Sequence, residues 1–268
     1  MDVKAFFDEN ERPLDRLIDD GGFASIFRTF ACIGDSLSSG EFERLENEKR
    51  SYHDFYEYSW GQYMARAMGS KCYNFSRGGM SAREYCTSWG EKNDVFNPEK
   101  KAQAYIIAMG CNDISAMCRG ELEFGSIEDI DLENRENNKP TFIGYYAKII
   151  QIYKEISPDA VFFLMTLPRT EGLEGEKRVP FNDLHRDTLA KLCEIFDNTY
   201  LLDFRTYAPY YDADFREKFF LFGHMNPMGY ILTAKMAISY IDYIIRHNMQ
   251  DFKGAGFIAS PFRVQRNV

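Results

Sequence analysis

The sequence predicts an α/β fold, a parallel sheet covered by helices on both faces, and three observations point to it. Five short apolar runs alternate with helix-like segments along the 268 residues, the pattern of successive strand–helix–strand units. The run at 104–109 is apolar at nearly every position, as a strand buried on both faces is. Three of the longest connections, 41–55, 115–140 and 205–223, follow the first, third and fifth runs. In open α/β sheets that carboxyl edge is where ligands bind.

Each element has its own local reason. Residues 1–28 read as an N-terminal extension packed on the domain, with a short amphipathic helix from Pro13 to about Ile18 stopped by Gly21-Gly22. The first strand is Phe30-Ala31-Cys32-Ile33, followed by the polar and aromatic stretch 41–55. A helix over 58–68 stops at Gly69. The second strand is 71–75; a turn at 76–81 leads to a helix capped by Ser81 and ending near Trp89. The third strand ends in Gly110-Cys111-Asn112-Asp113, and an acidic segment over 115–140 follows. A stretch this long without structure of its own is uncommon unless functional or disordered. It is read as a lid or substrate wall near the site, against the alternative of a solvated insertion. A helix over 141–156, a fourth strand at 160–165, a helix over 181–196 and a fifth strand at 200–203 complete the alternation. Asn226 as cap and Pro227 at the first position start a last helix to about His247, and 248–268 forms a tail. The whole, 1–268, is expected to be a single domain.

Composition narrows the function classes. Lysine and arginine number 32 against 41 acidic residues, a net charge of −9. That argues against nucleic acid or an anionic membrane as the main partner. No apolar run approaches the roughly 20 residues that span a bilayer. The chain opens on Met1-Asp2-Val3-Lys4 without a basic-then-apolar leader, so a cytoplasmic location is expected, with the six scattered cysteines reduced. Their spacings match no zinc pattern.

The chemistry gathers on the carboxyl edge of the sheet. Ser36, in Gly34-Asp35-Ser36-Leu37, stands on the corner after the first strand, where a nucleophile is well exposed and backbone N–H groups can receive an anion. Gly79 follows the second strand, Asn112 the third, and His224 a loop-to-helix junction beyond the fifth. A serine needs a base, and His224 is placed to be one; His53 and His185 are its rivals. A tetrahedral intermediate needs donors, and the backbone N–H groups of Ser36 and Gly79 with the Asn112 amide supply three. Each has a plain alternative: a turn at Gly78-Gly79, a helix cap at Asn112-Asp113, a surface histidine at His224.

In this order the four blocks resemble those of the SGNH, or GDSL, hydrolase superfamily. Gly34-Asp35-Ser36-Leu37 resembles its nucleophile block, and Gly79-Met80-Ser81 the block whose glycine donates a backbone N–H. Gly110-Cys111-Asn112-Asp113 resembles its Gly-x-Asn-Asp block, and His224-Met225-Asn226-Pro227 the block that holds the base. The resemblance implies a flavodoxin-like three-layer α/β/α sandwich with a five-stranded parallel sheet. It also implies hydrolysis of a small-molecule ester, such as a short acyl group on a carbohydrate, through an acyl-Ser36 intermediate, with no metal or organic cofactor. One position departs. The family places an aspartate three residues before the histidine, and here that residue is Leu221. The nearest aspartates are Asp214 and Asp212. A backbone carbonyl near Leu221 orienting His224 in a serine–histidine dyad is the expectation. Two other classes stay open. One is a flavodoxin-like module that grips FMN phosphate on the Ser-Leu-Ser-Ser-Gly loop. The other is a non-catalytic binder of glycans or acyl groups.

Overall fold

The computed structural model of the chain describes residue 8 and residues 10–260. Five strands make one parallel sheet: β1 (Thr29–Gly34), β4 (Lys71–Ser76), β5 (Ala104–Ala108), β6 (Val161–Met165) and β7 (Thr199–Leu202). Two short antiparallel hairpins stand outside it, β2 (Glu41–Glu46) with β3 (Lys49–Asp54) and β8 (Phe220–Leu221) with β9 (His224–Met225). The sheet order is β4-β1-β5-β6-β7. The chain starts in the second position, at β1, steps to the edge at β4, then crosses β1 and runs through β5 and β6 to the other edge. The strand order therefore reverses beside β1, and β1 and β5 open a crevice at their carboxyl ends. Register brings the blocks side by side there, because Gly34 pairs with Ser76 on one side and Ala108 on the other.

Neighbouring residues of a strand face opposite ways, and the two faces are covered by different helices. Cys32 faces the helix Trp60–Met68 so closely that a Cβ on Gly61 would lie 2.8 Å from its Sγ. Tyr105, paired with Ala31 one position back, packs on Tyr153 of the helix Phe142–Ile156 at 4.4 Å between ring centroids. The long helix Pro227–His247 packs beside Trp60–Met68. Ser59, Thr141 and Asn226 each accept an N–H of the first turn of their helix, a cap worth about 1 kcal/mol. The helix after Ser81 runs on past Trp89 to Lys92, with a wide turn over Tyr85–Trp89. No helix among the described residues is long and apolar enough to cross a membrane.

Three expectations need correction. No helix forms over 13–18. The Asp15 carboxylate accepts the Arg12 N–H at 2.9 Å, the kind of local side-chain bond that offers the backbone an alternative to a helix. The described part of the extension is held to the last helix instead, through Glu11 on Arg246 and the Phe23 N–H on Asp242; residues 1–7 and 9 lie outside the described residues. The stretch 41–55 is a hairpin, not a loop, turning at Asn47 and Glu48, both at positive φ (50° and 62°). The segment 115–140 lines no part of the central cavity. Many of its polar groups bind within it or to the helix that follows: Asp129 takes Lys139 and Thr141, Asp131 takes Asn137 and the Glu133 and Asn134 N–H groups, and Glu136 takes Lys148. At the other end, Ala255 accepts from Gln103 Nε2; residues 261–268 lie outside the described residues.

Candidate active site

Ser36 opens a single helical turn, Ser36–Ser39, directly after β1. Asp35 caps this turn by accepting the Leu37 N–H at 3.2 Å, and Gly40 ends it at φ 81°. A first helical turn leaves its N–H groups without intrahelical partners. The Ser36 hydroxyl has no hydrogen-bond partner among the described residues and lines a cavity of about 300 Å³ together with Asn112 and His224. Burial pushes the Asp35 carboxyl up to about 6, against the pull of the Leu37 N–H and of His224.

The second and third blocks lock together. Asn112 Nδ2 donates to the Met80 carbonyl at 3.0 Å and lies 3.5 Å from Asp35 Oδ2. Asp113 accepts the Ala82 N–H at 3.0 Å while its other oxygen is buried without a partner among the described residues. Burial raises that carboxyl to about 7. Gly79 sits at φ 71° with nothing within 4 Å of where a Cβ would be. That positive φ is a backbone conformation that favours glycine. Gly110, at φ 136°, is different: a Cβ would come within 2.6 Å of His185 Nε2.

His185 is therefore no rival base. It is buried beneath the Asn112 turn, bonded to the Met109 carbonyl at 2.9 Å. Burial drives its pKa down to about 4, so it is neutral near pH 7. His53 is on β3 with Ser51 and away from the cavity wall. Cys111 is also unsuited to nucleophilic work, since burial pushes its thiol up to about 11.

His224 shows the largest departure from the sequence reading. Its Nδ1 lies 3.3 Å from Glu43 Oε2, and the same oxygen accepts the Gly223 N–H at 2.8 Å. Glu43 is on β2, with its side chain 1 % exposed, and its other oxygen is 2.8 Å from Arg50 Nη1. Strand alternation puts Glu41 on the same face, and its Oε1 is 3.0 Å from His224 Nε2. Burial raises the Glu41 carboxyl, with His224 opposing. The Tyr52 ring meets the imidazole edge-on at 5.7 Å. A Cβ on Gly223 would sit 2.8 Å from Glu43 Oε2, so the residue before the histidine makes room for this carboxylate.

The sequence candidates for the orienting group lie elsewhere. Asp212 caps the helix Ala213–Phe219 by accepting the Phe215 N–H, and Asp214 pairs with Lys218. Leu221 pairs with His224 across the β8–β9 hairpin, but the Nδ1 partner is a side chain, not a carbonyl near Leu221. Of the loop aromatics, Tyr211 lines the cavity, while Phe42 packs among Phe55, Tyr58 and Tyr230 and Tyr207 on Tyr240. Among the described residues no group of three or more His, Cys, Asp or Glu is placed to hold a metal ion.

The GDSL-like Lipase/Acylhydrolase family matches residues 30–243, from β1 into the last helix. The chain belongs to that family. Membership supports hydrolase activity on acyl esters in general. Solved structures agree on the fold. A protein from Lactobacillus plantarum is 13 % identical, with a TM-score of 0.57 over 81 % of this chain and 97 % of its own. A putative GDSL-like lipase from Parabacteroides merdae is 18 % identical, with a TM-score of 0.54 over 80 % and 95 %. A family two carbohydrate esterase from Clostridium thermocellum, solved with cellohexaose, is 16 % identical, with a TM-score of 0.54 over 84 % of this chain and 65 % of its own. Identities this low speak for the fold alone. No curated protein matches the chain in sequence.

Proposed function

We propose that this GDSL-family chain is a serine ester hydrolase that works through an acyl-Ser36 intermediate, with His224 as base and Glu43 as the group that orients it. The observation that carries the reading is that Ser36, Asn112 and His224 line one cavity while a buried carboxylate faces His224 Nδ1. With Nδ1–H held by Glu43, the lone pair of the neutral ring is on Nε2. As the Ser36 oxygen attacks the ester carbonyl carbon, its proton passes to Nε2 and negative charge moves onto the carbonyl oxygen. The N–H groups of Ser36 and Gly79 and an N–H of Asn112 Nδ2 receive that charge. The carbonyl re-forms as the C–O bond to the leaving alcohol breaks, and Nε2–H protonates the alcohol. Water attacks the acyl-serine by the same route in reverse. This route requires Glu41, whose Oε1 is 3.0 Å from Nε2, to give way to the substrate. A triad thus replaces the dyad expected from Leu221.

The resemblance supplies the roles of Gly79 and Asn112, and their turns adjoin the end of β1. A phosphate-gripping role for the Ser36 turn leaves Asn112 and His224 unused. Small-molecule esters are the proposed substrates, acylated carbohydrates among them, since a neighbour in fold is a carbohydrate esterase. The test is hydrolysis of 4-nitrophenyl acetate and butyrate. Ser36→Ala is expected to fall to the uncatalysed rate with its circular dichroism spectrum unchanged. Retained turnover in that variant overturns the nucleophile.

A further inference from the structure

The cavity holds a second feature that ester cleavage itself does not use. Arg178 and Arg216 both stand in its wall, and neither ion-pairs with an Asp or Glu among the described residues. Arg178 is held by neutral groups only: Nη1 donates to Ser115 Oγ at 2.8 Å and Nη2 to the Cys111 carbonyl at 2.9 Å. Its Nε is shut away from water with no partner among the described residues. Arg216 donates to the Phe222 carbonyl at 3.2 Å and lies over the Phe220 ring at 4.7 Å.

Arg205 shows the contrast. It reaches both oxygens of Glu174 and one of Asp183. The chain has 41 acidic residues for 32 basic ones, so counter-charges are not scarce. A partly desolvated cation with no counter-ion is costly to keep. An anion arriving from outside removes that cost, and a planar guanidinium suits a carboxylate best. Among the described residues the one carboxylate in the same wall is Asp35, which is turned to Leu37 and Asn112.

We infer that the cavity takes esters bearing a free carboxylate, with Arg178 and Arg216 as its ion-pair partners. The word ester rests on the function proposed above; the anion site does not. Monomethyl glutarate carries the carboxylate on the acyl half and acetylglycolate on the alcohol half, with methyl butyrate as the neutral control. In the wild type, kcat/KM for one of the two anions is expected to exceed that for methyl butyrate at least tenfold, the excess shrinking with added salt. Arg178→Met should cut that ratio at least tenfold, and Arg178→Lys should restore part of it. Arg216→Met should lower it as well and serves if Arg178→Met does not fold. A wild-type ratio near one for both anions overturns the inference, as does an equal fall for charged and neutral esters. Calorimetric titration with glutarate separates the two claims. Binding to the wild type that Arg178→Met loses supports the anion site even if no ester is cleaved. Absence of binding overturns it even if esters are cleaved.

Discussion

The two halves of the candidate site are built in different ways. The half that carries Ser36 and Asn112 is made of tight turns on neighbouring strands, β1 and β5, braced by the buried His185 under Gly110, by the Met80 carbonyl on Asn112 and by Arg178 on the Cys111 carbonyl. The half that carries His224 is made of two hairpins outside the sheet, and its key carboxylate lies 181 residues away in the chain. Strand ends place groups rigidly because the sheet is packed on both faces. A hairpin places a group only as well as its own contacts hold it. Here the Gly223 N–H, Arg50 and the Tyr230 hydroxyl on the Glu41 carbonyl supply that hold.

Removing the carboxylate from the hairpin half has the largest expected effect. Glu43→Gln keeps the shape but invites the wrong imidazole tautomer. The expected loss in kcat is on the order of 10³–10⁴, the scale of losing an orienting acid in the best-studied triad, with KM little changed. Steady-state kinetics on 4-nitrophenyl esters checks it, and a loss below tenfold returns the site to a dyad. The strand-end half is probed by Asn112→Ala. One lost oxyanion donor lowers kcat by about 10²–10³, and an equal fall from Asp113→Ala alone would move the donor role away from Asn112. The smallest effects belong to Asp212→Asn and Asp214→Asn. Each carboxylate serves its own short helix, so kcat is expected to change by no more than about threefold. A loss near 10³ in either folded variant would put that residue in place of Glu43.

Legibility follows the same divide. Five apolar runs, their helices and the turns holding Ser36, Gly79 and Asn112 are local signals, and the strands they predict are those of the sheet. Glu43 was hidden for two reasons. Its partner is remote, and the hairpin that carries it turns at Asn47-Glu48 without the glycine that makes such turns recognisable. A signal was present in Glu41-Phe42-Glu43. Two acids flanking an aromatic at period two is a strand with a polar face, here the face that meets His224. Gly223 carried another, since it leaves room for Glu43 Oε2. The segment 115–140 is read from its length and its place after the third strand, whereas Asp131 caps turns within it and Asp129 and Glu136 pair with Lys139 and Lys148. The short helix at 13–18 failed for a similar reason, an aspartate bonding locally to the backbone of Arg12.

All of this turns on whether Ser36 is the reactive atom. The direct measurement is incubation of the wild-type chain with a fluorophosphonate, followed by mapping of the adduct by peptide mass spectrometry. One adduct is expected, on Ser36, formed far more slowly in Glu43→Gln and absent in Ser36→Ala. Ester hydrolysis by a chain that gives no Ser36 adduct, or an adduct on another residue that blocks activity, would contradict it.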